Sequence, residues 1–318
     1  MDVATDQEEK LPIIDFSAYS LQNDETDDDE LQRLATRLVQ AFSTEGFVYL
    51  RNHGIPNTLI SKTFAVANKF FSLPEEVKTR FSKSQGCSLY WVGYQAEKVN
   101  PARPADIKEA MGVYRPRDNE KPWPNQEVPE FQETFQEMYD KCHLFSLRVL
   151  ELIARGLQIQ DIPSFLAMHS LIGSRANITS LTTLHYPPVP DHVSEGQIRC
   201  GEHSDYGSIT LLFQDTHPGL EVLNSHGRYI PAPPLADTVV VNIGDLMQRW
   251  TSDKIVSNKH RVVIPDTREH RRVTRRSMAF FVNPNDDAVV TCLDGSDKYK
   301  PITAGEYVKG KIMALTNY

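Results

Sequence analysis

From about Ser180 onward the chain breaks into short β-like runs separated by turn residues: Gln197 to Cys200, Ser208 to Phe213, Leu220 to Leu223, Thr238 to Ile243, Arg261 to Ile264, Ser277 to Val282 and Ala288 to Cys292. Strands at that spacing predict an antiparallel sandwich or barrel, not alternating βαβ units. The first half has the opposite texture. Leu31, Leu34, Leu38, Ala41 and Phe42 recur at helical spacing behind a run of carboxylates that suits a helix N-terminus. A second helix is expected over Thr58 to Phe71, a third opens at Pro74, and a long one runs from near Pro129 to Gly156. In that last segment Phe131, Phe135, Met138, Cys142, Phe145, Val149 and Leu152 form one stripe that must lie against something large. Gly46 to Leu50 reads as a lone strand closed by Asn52, His53 and Gly54. No Gly, Ser or Pro linker divides the halves, so residues 1–179 are expected to buttress a β core formed by residues 180–318. The stretch from Ser82 to Pro124 shows little periodicity and reads equally as a functional loop or a surface excursion.

Several function classes are excluded early. The formal charge of -8 comes without a basic stripe, which argues against nucleic acid and anionic lipid as partners. The acidic residues cluster in Asp24, Glu25, Asp27, Asp28, Asp29 and Glu30. Cys87, Cys142, Cys200 and Cys292 have no CxxC spacing, so neither a disulfide framework nor a thiolate zinc site is expected. With no apolar run of membrane length and an acidic N-terminus, a cytoplasmic protein is expected. No glycine-rich phosphate loop of the Rossmann or Walker type occurs.

Ten histidines are present, and most need no function: His169 is expected in a helix, and His192, His217, His226 and His270 sit in polar, turn-like surroundings. His203-Ser204-Asp205 differs, because residues i and i+2 of a strand or its end share a face. An imidazole and a carboxylate there can share one metal, and His260, at the start of a later apolar run, can complete the set from a neighbouring strand. Two histidines and one carboxylate leave three coordination positions open, the pattern of non-haem Fe(II) oxygenases.

The context of this triad is specific: Gly201 to Gly207, then Ile209 to Asp215, Val241-Asn242-Ile243-Gly244-Asp245, and His260-Arg261-Val262. Together with Pro12 to Phe16, Gly46 to Pro56 and Phe280 to Pro284, these segments make the chain resemble the isopenicillin-N-synthase-like branch of the Fe(II)/2-oxoglutarate-dependent dioxygenases over nearly its whole length. The resemblance implies an α+β or mainly β fold, a double-stranded β-helix (jelly roll) with packed N-terminal helices. It makes residues 1–179 the family's N-terminal region and 180–318 its catalytic domain.

The resemblance also implies a site. His203, Asp205 and His260 would bind Fe(II), and Arg275 and Ser277, similar to the family's RxS motif, would anchor the distal carboxylate of 2-oxoglutarate. Tyr186 would donate to the same carboxylate, although Leu184 stands where related sequences carry asparagine. His185 would point the other way, and Cys200 reads as a small apolar filler. The implied reaction uses O2 and 2-oxoglutarate, releases succinate and CO2, and hydroxylates, desaturates or cyclises a small metabolite, such as one of secondary metabolism. Retention of Asp205 argues against halogenation. Tyr90, Trp91, Tyr94, Phe213 and Phe281 are candidates for the substrate pocket, each equally suited to packing in the core. A monomer is expected. Two other readings stay open: a 2-oxoglutarate-independent oxidase of the isopenicillin N synthase or aminocyclopropane-carboxylate oxidase type, and a non-enzymatic jelly-roll module that holds a metal.

Overall fold

The computed structural model describes residues 10–23, 25–82, 89–118 and 123–316. Cys87 and Asp24 lie outside the described residues. The N-terminal part runs β1 (Ile13–Asp15), a 3-10 turn at Ser17–Tyr19, α1 (Asp28–Thr44), β2 (Phe47–Arg51), α2 (Asn57–Phe71), α3 (Glu75–Thr79), β3 (Leu89–Val92), β4 (Glu109–Val113), α4 (Phe131–Gly156) and α5 (Ile162–Ala167). There follow β5 (Ser180–Tyr186), β6 (Cys200–His203), β7 (Ile209–Gln214), β8 (Leu220–Leu223), β9 (Tyr229–Pro231), β10 (Thr238–Ile243) and α6 (Asp245–Trp250). The chain ends with β11 (His260–Val262), α7 (Arg268–Arg271), β12 (Arg275–Val282), β13 (Val289–Val290), β14 (Ile302–Thr303) and α8 (Ala304–Thr316). None of the described helices is long and apolar enough to cross a membrane.

Two sheets form the jelly roll. The larger has eight strands in the order β1-β2-β10-β7-β12-β5-β4-β3, and the smaller has four, β6-β11-β8-β9. All pairings are antiparallel except that of β1 with β2. Strand alternation then separates two apolar layers. Val239, Val241 and Ile243 of β10, Leu211 and Phe213 of β7, and Met278, Phe280 and Val282 of β12 face the helices. Phe47, Tyr49, Val240, Tyr186, Cys200, Val222 and Val262 fill the space between the sheets.

The acidic cluster is explained locally: the Asp27 side chain accepts from Glu30 N–H at 3.1 Å, and Asp28, Asp29 and Glu30 occupy the first turn of α1. The stripe on α4 is fully buried against the outer face of the large sheet, alongside α1 and α2. The N-terminal half is less helical than its pattern suggests. It supplies β1, β2, β3 and β4 to the large sheet, so both regions of the chain share one sheet. The aperiodic segment holds β3 and β4. All five residues of β4 are buried, which erases the alternation that marks a half-exposed strand. His169 lies in a turn just past α5, not in a helix, with Nε2 2.9 Å from Ser208 Oγ.

His53 and His169 are buried on the helix side of the sheet, and burial pushes each imidazole from 6.5 down to about 4. The unfolded chain therefore binds more protons than the folded one between those values, so stability is lost as pH falls through that window. Each histidine is expected to cost about 3 kcal/mol once pH drops from about 7 to about 4. Urea denaturation across that range should show the decline, and His53→Gln should make it shallower. An unchanged pH dependence in the variant would contradict this assignment.

Candidate metal centre

The side chains of His203, Asp205 and His260 converge between the sheets, with one potential ligand atom from each lying within 4.8 Å of the others. β6 and β11 are neighbours in the small sheet, and His203 and His260 are direct partners across that pair. A register irregularity between His260 and Val262 lets Cys200 and His203 both turn inward. The two imidazoles stand 4.2 Å apart between ring centres, with Nε2 of His203 3.8 Å and Nε2 of His260 3.7 Å from Asp205 Oδ1.

The surroundings aim these atoms. His203 Nδ1 lies 2.8 Å from the Gly201 carbonyl and His260 Nδ1 3.3 Å from that of Asn258. A carbonyl can only accept, so Nδ1 carries the proton and Nε2 presents its lone pair to the centre. Asp205 Oδ2 accepts from Thr210 Oγ1 at 2.6 Å and from Asn242 Nδ2 at 2.7 Å, which leaves Oδ1 facing the histidines. Burial alone would raise the Asp205 carboxyl, but the charge that His260 and His203 carry when protonated, with the hydrogen bonds from Asn242 and Thr210, outweighs it and holds the group below the usual range. It stays anionic.

The loop after β6 is tied to the N-terminus of α6. Asp245 N–H donates to the Asp205 carbonyl at 2.7 Å, and Leu246 N–H to that of Tyr206 at 3.1 Å. This contact needs glycine: a Cβ on Gly244 would stand 2.3 Å from the Gly207 carbonyl oxygen. The Asn242-Ile243-Gly244-Asp245 segment thus has two functions, since Asn242 holds the carboxylate and Gly244 and Asp245 hold its backbone.

Arg275, at the start of β12, is fully buried and belongs to the same inner face. Its Nη2 donates to Gln214 Oε1 at 2.8 Å and its Nη1 to Ser277 Oγ at 3.4 Å, while Nε has no partner. Tyr186 stands opposite it in register, with the guanidinium 5.0 Å from the ring centre. Burial pushes the Tyr186 phenol up to about 12 against the opposing pull of Arg275, so it remains an O–H donor.

The five candidates for the substrate pocket divide by strand parity. Phe281 shares the inner face with Arg275 and Ser277, and its register partner on β7 is Thr210, the residue that donates to Asp205. Tyr90 also faces inward: its ring lies over Gly112 and stacks on Tyr114 at 5.0 Å. Trp91 and Phe213 face the other way, toward the helices. Trp91 lies on the helix side and donates to Glu109 Oε2 at 2.9 Å, and Phe213 is buried against His53. Tyr94 is 44% exposed in the turn beyond β3. His185 is on the helix side too, stacked on Phe71. Asn242, Thr210 and Gln214 were not singled out by sequence reasoning. The available signal was a polar residue inside an otherwise apolar strand, clearest for Asn242 in Thr238–Ile243.

Two family models match the chain: the N-terminal region of the non-haem dioxygenases in morphine synthesis over residues 11–134, and the 2OG-Fe(II) oxygenase superfamily over residues 177–284. The 2-oxoglutarate-Fe(II) type oxidoreductase ppzD of Metarhizium rileyi is 35% identical over 87% of this chain and 84% of its own length. Proline hydroxylase buaE of Petromyces alliaceus is 32% identical over 87% and 91%. Among solved structures, a full-length Neurospora crassa protein in complex with alpha-KG and thymine superposes with a TM-score of 0.84, at 33% identity over 96% of both chains. The chain belongs to the 2OG-Fe(II) oxygenase superfamily. Its jelly roll carries a 2-oxoglutarate-dependent dioxygenase activity, with Fe(II) as cofactor and 2-oxoglutarate as cosubstrate.

Proposed function

We propose that His203, Asp205 and His260 hold the Fe(II), that Arg275, Ser277 and Tyr186 hold the distal carboxylate of 2-oxoglutarate, and that the enzyme oxidises a C–H bond of a small molecule entering beside Phe281 and Tyr90. The observation that carries this reading is that the triad and Arg275 share one interior. The donor set fits the metal, since two neutral imidazoles and a carboxylate suit Fe(II) and leave positions open. The unpartnered Nε of buried Arg275 fits an anionic guest.

When bound, iron and 2-oxoglutarate supply an oxidant by coupling release of succinate and CO2 to attack on the substrate. The protein's part is binding and orientation. Thr210 and Asn242 fix the Asp205 carboxylate, and the Gly201 and Asn258 carbonyls fix the imidazole tautomers. Along the inner face of β12, only the small side chains of Ser277 and Ala279 stand between Arg275 and Phe281. Phe47 packs edge-on at 5.2 Å from the His260 ring and so fixes the plane of that ligand. The crystallised relative holds thymine, and a compact substrate of that scale, in a cytoplasmic enzyme, is the class proposed here.

The test is a screen of small metabolites for compounds that raise 2-oxoglutarate turnover above the uncoupled rate. With a compound found, Phe281→Ala is expected to raise KM by about 10- to 100-fold, because an aromatic contact and its buried area are lost. Uncoupled turnover should change little. An unchanged KM would place substrate elsewhere.

A further inference from the structure

A second arginine lies buried at the Arg275 end of the interior. Arg199 immediately precedes β6, the strand that carries His203, and its side chain is fully buried. Its Nη2 donates to the Val273 carbonyl at 3.1 Å, two residues before Arg275, whereas Nε and Nη1 have no hydrogen-bond partner. Cys200, the next residue, pairs with Val262, and a Cβ on Gly219 would sit 3.4 Å from Val262 Cγ1 and 3.7 Å from Arg275 Cδ. The small sheet thus brings Arg199, and the large sheet Arg275, to the same end of the interior.

The charges there do not balance internally. Burial first, then Arg275, lowers the Arg199 guanidinium to about 10, and Arg271 adds to the positive side. Tyr186 and Asp215 act in the opposite sense. Asp215 is already engaged, its Oδ2 accepting from Arg276 N–H at 2.7 Å and its Oδ1 from His217 N–H at 2.9 Å. Three buried guanidinium nitrogens, Arg199 Nε, Arg199 Nη1 and Arg275 Nε, are left without acceptors. Unpaired buried charge is costly, and an anion received between the two side chains removes that cost.

We propose that Arg199 is a second anchor for the distal carboxylate of 2-oxoglutarate, acting with Arg275 as a two-arginine clamp. This rests on the reading that Arg275 receives that carboxylate. It gives the pocket a preference for 2-oxo acids with a second carboxylate, set by both sheets.

Anaerobic calorimetry of the Fe(II)-loaded protein tests it with two probes, 2-oxoglutarate and 2-oxopentanoate, which carries a methyl group in place of the distal carboxylate. Arg199→Met is expected to weaken 2-oxoglutarate by about 10- to 100-fold, the usual cost of losing a charge-assisted contact. Affinity for 2-oxopentanoate should change by less than about 2-fold, because its methyl end carries no charge with which a guanidinium could pair. Arg199→Lys, which keeps the charge and loses the fork, should fall between wild type and Met with the same selectivity. It carries the test if the Met variant does not hold iron. Unchanged 2-oxoglutarate affinity, or equal loss for both acids, overturns the proposal and leaves Arg199 a structural residue. A wild-type protein that binds both acids equally overturns the Arg275 reading itself and the clamp with it, so the two failures are distinguishable.

Discussion

Asp205→Ala is expected to abolish iron retention and 2-oxoglutarate-dependent succinate formation, by about 1000-fold or more, without unfolding the protein. Asp205 is the only carboxylate in the metal-binding group found among the described residues. Its Oδ1 is the atom that both histidine Nε2 atoms face, at 3.8 and 3.7 Å. Removing it leaves two imidazoles, too few donors to hold a divalent ion against dilution. The fold should persist because the backbone of the Asp205 loop is held independently by the N-terminus of α6. Metal content by atomic absorption, succinate release and far-UV circular dichroism check the three parts of this expectation. Succinate formation that survives the substitution at more than a few per cent would mean that the metal is held elsewhere.

The second large effect concerns Arg275. Arg275→Met should raise the 2-oxoglutarate concentration needed for half-maximal turnover by about 100- to 1000-fold, since truncating one side of a buried charge pair costs roughly 2 to 5 kcal/mol. Iron content should stay at the wild-type level, because Arg275 is no part of the metal group. The variant should be no less stable without cosubstrate, as the guanidinium is fully buried with one nitrogen unpartnered. A steady-state 2-oxoglutarate titration of both proteins measures the effect. A shift of less than about 10-fold would contradict the assigned role of Arg275.

Parts of this architecture were legible in the chain. β8 and β10 occupy the residues their patterns mark, and α1, α2 and α4 lie where apolar periodicity puts them. These elements pack one face on a core, so their sequences alternate or recur with the matching period. β4 escaped because both of its faces are buried, and β3 because it is a four-residue edge strand at the end of the sheet. At the site, His203 and Asp205 share a local spacing, but the nearness of His260 is a property of the β6–β11 pairing, which only the resemblance supplied. The pocket candidates show the same limit. Phe281 has the parity of Arg275 on the same strand and is readable from it. Phe213 has no such reference on β7, and its direction follows only once Thr210 is seen to bond Asp205.

The most direct test of the central claim is anaerobic addition of 2-oxoglutarate to the Fe(II)-loaded protein, followed by visible absorption. If His203, Asp205 and His260 hold the iron and leave adjacent positions open, chelation of the metal by the 2-oxo acid should produce a broad charge-transfer band that saturates at one equivalent per iron and is absent in Asp205→Ala. A protein with its full complement of iron that shows no such band would contradict the account.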